Sequence, residues 1–148
     1  MGFKGIIAAI DFSSGARGAF SLALALARQH QARLTLVHVM PPLITPSPLL
    51  DDLAVNQTTL ALREELHESC AKELAQLQRQ AQGVAAETRL LEGDPARELT
   101  VLARELDADL LVVGSTGVSG LAETVFGSVA QKVVRRAPCS VLVARPVP

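Results

Sequence analysis

Short apolar runs alternating with segments of helical spacing constrain this chain more than any other feature. Ile6 to Ile10 is continuously apolar, as a strand buried on both faces would be. Ala32 to Val39 is apolar and β-branched, Leu110 to Val113 is apolar throughout, and Pro138 to Ala144 closes the chain with a further run. Val84 to Leu91 is weaker. Its Glu87 and Arg89 alternate outward, which suits a strand at a sheet edge.

The intervening segments carry apolar residues at three- and four-residue steps. Ala16 to Gln29 places Ala19, Leu22, Ala23, Leu26 and Ala27 on one side. Asn56 to Gln82 aligns Leu62, Leu66, Cys70, Leu74, Leu77 and Ala81 in one long amphipathic helix, with Gly83 as its C′ residue. Gly93-Asp94-Pro95 supplies an N-cap carboxylate and a proline at the first helical position, ahead of a stripe of Leu99, Leu102, Ala103 and Leu106. The last helix, Val129 to Arg136, carries Lys132, Arg135 and Arg136 toward its C-terminal end, where the helix dipole favours cations. Leu43 to Leu53, with Pro46, Pro48 and two aspartates, reads as a surface loop.

Strands alternating with helices over the whole length imply an open, mainly parallel α/β sheet in one domain spanning residues 1–148. In such a sheet a ligand binds beyond the carboxyl ends of the strands, where strand order reverses. Asp11, Val39-Met40 and the segment from Gly114 onward should converge there. The sequence is 49% hydrophobic with no Trp or Tyr, so the core must be aliphatic.

Lys and Arg number 14 against 15 acidic residues, which argues against a nucleic-acid or anionic-membrane partner. Cys70 and Cys139 fit apolar patterns and read as reduced thiols, and with His30, His38 and His67 they form no zinc-ligand motif. No run reaches the roughly 18 residues of a membrane span. The first apolar run stops at Asp11, too short for a signal sequence, and Ile6 stands where N-myristoylation wants Ser or Thr. A cytoplasmic protein is the expectation.

Directly after Val113 comes GSTGVSGLAETVFGS, Gly114 to Ser128, leading into the last helix. Backbone N–H groups at a helix N-terminus, reinforced by a hydroxyl and the dipole, attract phosphate, and glycines let the backbone come close. A βα loop with incidental glycines is the competing interpretation. The stretch is neither a P-loop, which needs a lysine after its second glycine, nor a GxGxxG fingerprint.

Gly114-Ser-Thr-Gly117, nine residues, then Gly127-Ser128 is a G-x2-G-x9-G-S pattern. With Ile-Ile-Ala-Ala-Ile-Asp-Phe-Ser at the start, Leu-Val-His-Val, Gly-Asp-Pro, Ala-Asp-Leu-Leu-Val-Val-Gly and Ala-Pro-Cys-Ser-Val-Leu-Val, it resembles the nucleotide-binding subgroup of the universal stress protein (UspA-like) family over nearly its full length. That resemblance implies a Rossmann-like fold of the adenine nucleotide alpha hydrolase type. Its five-stranded parallel sheet has the order 3-2-1-4-5, with helices on both faces.

It implies ATP as ligand, with AMP or ADP as alternatives. Gly117, Gly127, Ser128 and Val129 would meet phosphates, and Gly114 the ribose. Backbone at Val39 would read the adenine edge, and Ala9 would line the base pocket. Asp11 would hydrogen-bond the nucleotide or a water on its Mg; a helix cap alone is the competing role for Asp11. No metal is held by the protein alone.

Relatives often carry a basic or imidazole group near the first GxxG, where this chain has Thr116 and Val118. Phosphate charge would then be met by backbone dipoles, Ser128 and bound magnesium. The resemblance also implies a homodimer through the last strand, Ser140 to Ala144. The expected function is an ATP-binding stress-response or regulatory module whose nucleotide alters loops Leu43–Leu53 and Ser115–Phe126, and thereby the choice of a protein partner. A slow ATPase or autophosphorylating phosphotransferase is the enzymatic alternative, for which Glu123 is the further carboxylate candidate. A ligand-free interaction protein is the third class.

Overall fold

The computed structural model describes residues 2–42, 53–116 and 126–146. The elements run β1 (Gly5–Ala9), α1 (Ser14–His30), β2 (Arg33–Met40), α2 (Leu53–Gln80), β3 (Ala86–Glu92), α3 (Pro95–Glu105), β4 (Leu110–Gly114), α4 (Ser128–Arg136) and β5 (Ser140–Ala144). The five strands form one sheet in the order β3-β2-β1-β4-β5, and every ladder is parallel. The chain enters at the centre, builds outward through β2 to β3, then crosses to the other side of β1 for β4 and β5. The reversal lies between β1 and β4.

Alternation along the strands separates two cores. Ile6, Ala8, Leu34, Leu36, Leu110 and Val112 face α1 and α2, through Ala19, Phe20, Ala23, Leu24 and Leu74. Their neighbours Ile7, Val37, Val39, Leu111 and Val113 face α3 and α4, through Leu99, Leu102, Ala130 and Val133. The continuous apolar runs of β1 and β4 are the strands buried on both faces. Glu87 and Arg89 lie exposed on the edge strand β3, as their alternation predicts.

Two readings of α2 need correction. Its predicted apolar stripe is only partly used: Leu74 is 1% exposed, whereas Leu62 and Leu66 are 49% and 40% exposed. The cause is length, since 28 residues of helix span about 42 Å and an eight-residue strand such as β2 only about 26 Å. The leading part of α2 therefore has no sheet beneath it. The helix also stops at Gln80, so Gly83 is not the residue directly after its cap. Its φ of 81° serves the turn that leads toward β3.

Candidate functional site

The crevice at the strand-order reversal is a cleft of about 170 Å³. β1 delivers Ala9 and Asp11, β2 delivers Val39, β4 delivers Gly114, and the start of α4 delivers Gly127, Ser128 and Val129; all of them line it. Gly117 lies outside the described residues, as do Glu123 and most of the two loops expected to respond to ligand. Thr116 of the glycine stretch lines it too, and sequence reading missed Val37, His38, Pro95 and Leu99, which also contribute to the wall. Pro95 and Leu99 were legible as a helix start and a core stripe. Only the packing of α3 against the β2 side of the sheet brings them to the cleft.

Two backbone features shape the floor. Ile10 N–H donates to the Val37 carbonyl at 2.7 Å, one bond beyond the last β1–β2 register pair, Ala9 and Val37. Backbone groups of alternate strand residues point the same way, so the N–H and C=O of Val39 turn to the β1 side like those of Val37. There β1 has already left the sheet, and Val39 faces the cleft.

On the opposite wall the Ser115 N–H continues the sheet to the Ala144 carbonyl at 2.8 Å. The Ser115 carbonyl accepts the Gly127 N–H at 2.7 Å. Buried Ser115 thereby ties the end of the glycine stretch to its beginning. Gly127 is the N-cap of α4 and makes no side-chain cap hydrogen bond. Its own N–H is committed inward. The donors that α4 offers to an anion are those of its first turn, beginning with Ser128 and Val129.

Asp11 has a structural role as well as its place in the cleft wall. Its Oδ1 accepts the Ser13 N–H at 2.9 Å and the Ser13 hydroxyl, while Ser13 Oγ accepts the Ala16 N–H at 3.2 Å. Ser13 is thus the N-cap of α1 and Asp11 its support. No group of three His, Cys, Asp or Glu residues suited to a metal occurs among the described residues. Cys70 and Cys139 are free, and burial pushes both thiols upward, with Glu73 and Asp109 adding to it respectively. No described helix is long and apolar enough to cross a membrane.

The model of the universal stress protein family matches residues 2–145. The chain belongs to the universal stress protein family. The universal stress protein YxiE of Bacillus subtilis is 36% identical over 147 residues, covering 97% of this chain and 99% of its own. The universal stress protein UspA from Lactobacillus plantarum superposes with a TM-score of 0.86 at 27% identity, covering 98% of this chain and 99% of its own. A further universal stress protein, whose crystal structure is a complex with cAMP, gives a TM-score of 0.66 at 26% identity, covering 99% of this chain and all of its own. The family's five-stranded fold is therefore the fold of this chain.

Proposed function

We propose that this universal stress protein binds an adenine nucleotide, ATP foremost, in the cleft between β1, β2 and β4, and acts as a nucleotide-dependent regulatory module. The observation that carries this is the first turn of α4. Its residues Ser128 and Val129 line the same cleft as Val39, and among the described residues its N-cap, Gly127, makes no side-chain cap hydrogen bond. An anion at one end and a flat hydrogen-bonding ring at the other is the pattern of a nucleotide.

In this reading the first-turn N–H groups and the Ser128 hydroxyl hold phosphate. Val39 backbone reads the base against Ala9, and Gly114 admits the ribose closely. Gly117 completes the phosphate cradle of the G-x2-G-x9-G-S motif. Magnesium is commonly bound through one carboxylate, substrate phosphates and water, and Asp11 is the carboxylate of the described lining. The relative in complex with cAMP supports the adenine class.

Hydrolysis would call for a lysine or arginine aimed at the γ-phosphate. The ionisable groups of the described lining are Asp11 and His38, which supports holding a nucleotide rather than cleaving it. The second element of the proposal is a homodimer formed across β5.

The nucleotide site is tested with Ser128→Pro. Proline suits the first position of a helix, and Gly127 with φ −59° and ψ 158° already has the backbone that a following proline wants. The fold should survive while one N–H and one hydroxyl are lost. Isothermal titration with ATP and magnesium should show one saturable site in the wild type and, at about 1.5–3 kcal/mol for a hydrogen bond to charge, affinity weaker by about tenfold or more in the variant. No binding by the wild type at millimolar ATP would overturn the proposal.

A further inference from the structure

We propose that His38 is a positioning residue of this cleft: it holds the Ile10–Ser13 turn in the conformation that keeps the Asp11 carboxylate on the cleft wall. The inference rests on the nucleotide reading above and adds to it a residue that acts through the turn.

The turn is unusual at its centre. Phe12 has a φ of 62°, the left-handed region that bulky side chains seldom enter. Something must hold it there, and the contacts converge on one side chain. The His38 Nδ1 lies 2.6 Å from the Ile10 carbonyl oxygen, and because a carbonyl only accepts, Nδ1 carries the proton. The His38 ring also meets the Phe12 ring, with centroids 4.7 Å apart and planes tilted by 42°.

Ile10 is therefore fixed to β2 through both of its backbone groups, its N–H by the Val37 carbonyl and its carbonyl by the His38 imidazole. Phe12 is fixed by the same imidazole from the other side of Asp11. The two bonds that Ser13 donates to Asp11 then set the carboxylate itself. Removing His38 leaves the Ile10 carbonyl without this donor and Phe12 without its ring contact, so Phe12 can leave the left-handed region and carry Asp11 with it.

The test compares His38→Leu, which keeps bulk but no donor, with His38→Asn, whose side-chain nitrogen stands close to the position of Nδ1. Amide hydrogen exchange on the nucleotide-free protein reads the turn directly. Ser13 and Ala16 should exchange faster in His38→Leu and regain protection in His38→Asn. In titrations with ATP and magnesium, His38→Leu should bind about tenfold more weakly, His38→Asn close to wild type, and His38→Leu in an Asp11→Ala background no more weakly than Asp11→Ala alone, since groups acting as one unit are not additive.

Unchanged exchange at Ser13 and Ala16 in His38→Leu overturns the role in the turn. Faster exchange with wild-type affinity for ATP overturns the role in binding, as does full additivity with Asp11→Ala. A wild type that binds no ATP removes the nucleotide reading and this part of the inference with it, while the exchange result still decides whether His38 holds the turn.

Discussion

Asp109 and Gly5 exchange hydrogen bonds across the foot of the sheet: the Gly5 N–H donates to Asp109 Oδ2 at 2.9 Å, and the Asp109 N–H donates to the Gly5 carbonyl at 2.9 Å. The Lys4 N–H adds a second bond to the same carboxylate oxygen at 2.6 Å. The residue before β4 thereby fixes where β1 begins, and with it the register of the sheet's two central strands. The bonds from Gly5 and then Lys4 favour the ionised carboxylate and hold it below the usual aspartate range.

A carboxyl with a lowered folded pKa stabilises fully above its unfolded value and loses that contribution as pH falls through the folded one. Asp109→Ala should therefore lower the urea midpoint at pH 7 and flatten its further decline below about pH 4. Equal acid slopes in the two proteins, from midpoints measured at pH 7, 4 and 3, would remove Asp109 from the account of acid stability.

The sheet was legible in the sequence because its central strands are buried on both faces and so read as unbroken apolar runs. Asp11, Val39 and Gly114 could be placed from topology alone, since each ends or follows a strand beside the reversal, whereas Ala9 came from the family resemblance. What could not be read were bonds between distant segments. Ser115 was one more polar residue in a loop, and the resemblance that brought Gly127 to phosphate gave no sign that its N–H is held by the Ser115 carbonyl. His38 was one of three scattered histidines, and its meaning depends on a left-handed Phe12 that no pattern announces. The periodicity of α2 was real, but how far the sheet extends beneath a helix is not written in the helix.

That limit on α2 gives a contrast measurable in one experiment. Leu74 is buried between α2 and the sheet, whereas Leu62 belongs to the same predicted stripe and stays half exposed. Leu74→Ala should cost about 2–5 kcal/mol in urea unfolding, as deletions in a packed core do. Leu62→Ala should stay within about 0.5 kcal/mol, the range of surface substitutions. Similar losses at both positions would show that the leading part of α2 is covered.

The start of α3 links stability to the cleft. Asp94 accepts the Arg97 N–H at 3.1 Å as N-cap, directly before Pro95, which lines the site. Asp94→Ala should cost about 1 kcal/mol, and Asp94→Asn much less, because asparagine caps as well as aspartate. If the two variants unfold at the same urea concentration, the cap bond contributes nothing.

The two sheet edges differ in chemistry, and the difference bears on assembly. β3 carries exposed Glu87 and Arg89, 3.6 Å apart, which discourage a further strand from pairing. β5 carries no charge, and its Val141, Leu142 and Val143 are only half buried. The proposed two-fold partner would pair this edge with its own copy, an isologous contact that ends at the dimer. Register identifies the groups that would do so. Ala144 accepts from Ser115, so its backbone faces β4, as does that of Leu142, while Val141 and Val143 present theirs outward. Val143→Pro should therefore remove an N–H that only a partner can use, and convert a dimer to a monomer with little loss of stability. Leu142→Pro removes a donor facing β4 and should destabilise the fold itself. Light scattering at micromolar concentration, with urea midpoints for each variant, separates the two effects. A wild-type protein of monomer mass, or a Val143→Pro variant that stays dimeric, would place the interface elsewhere or nowhere.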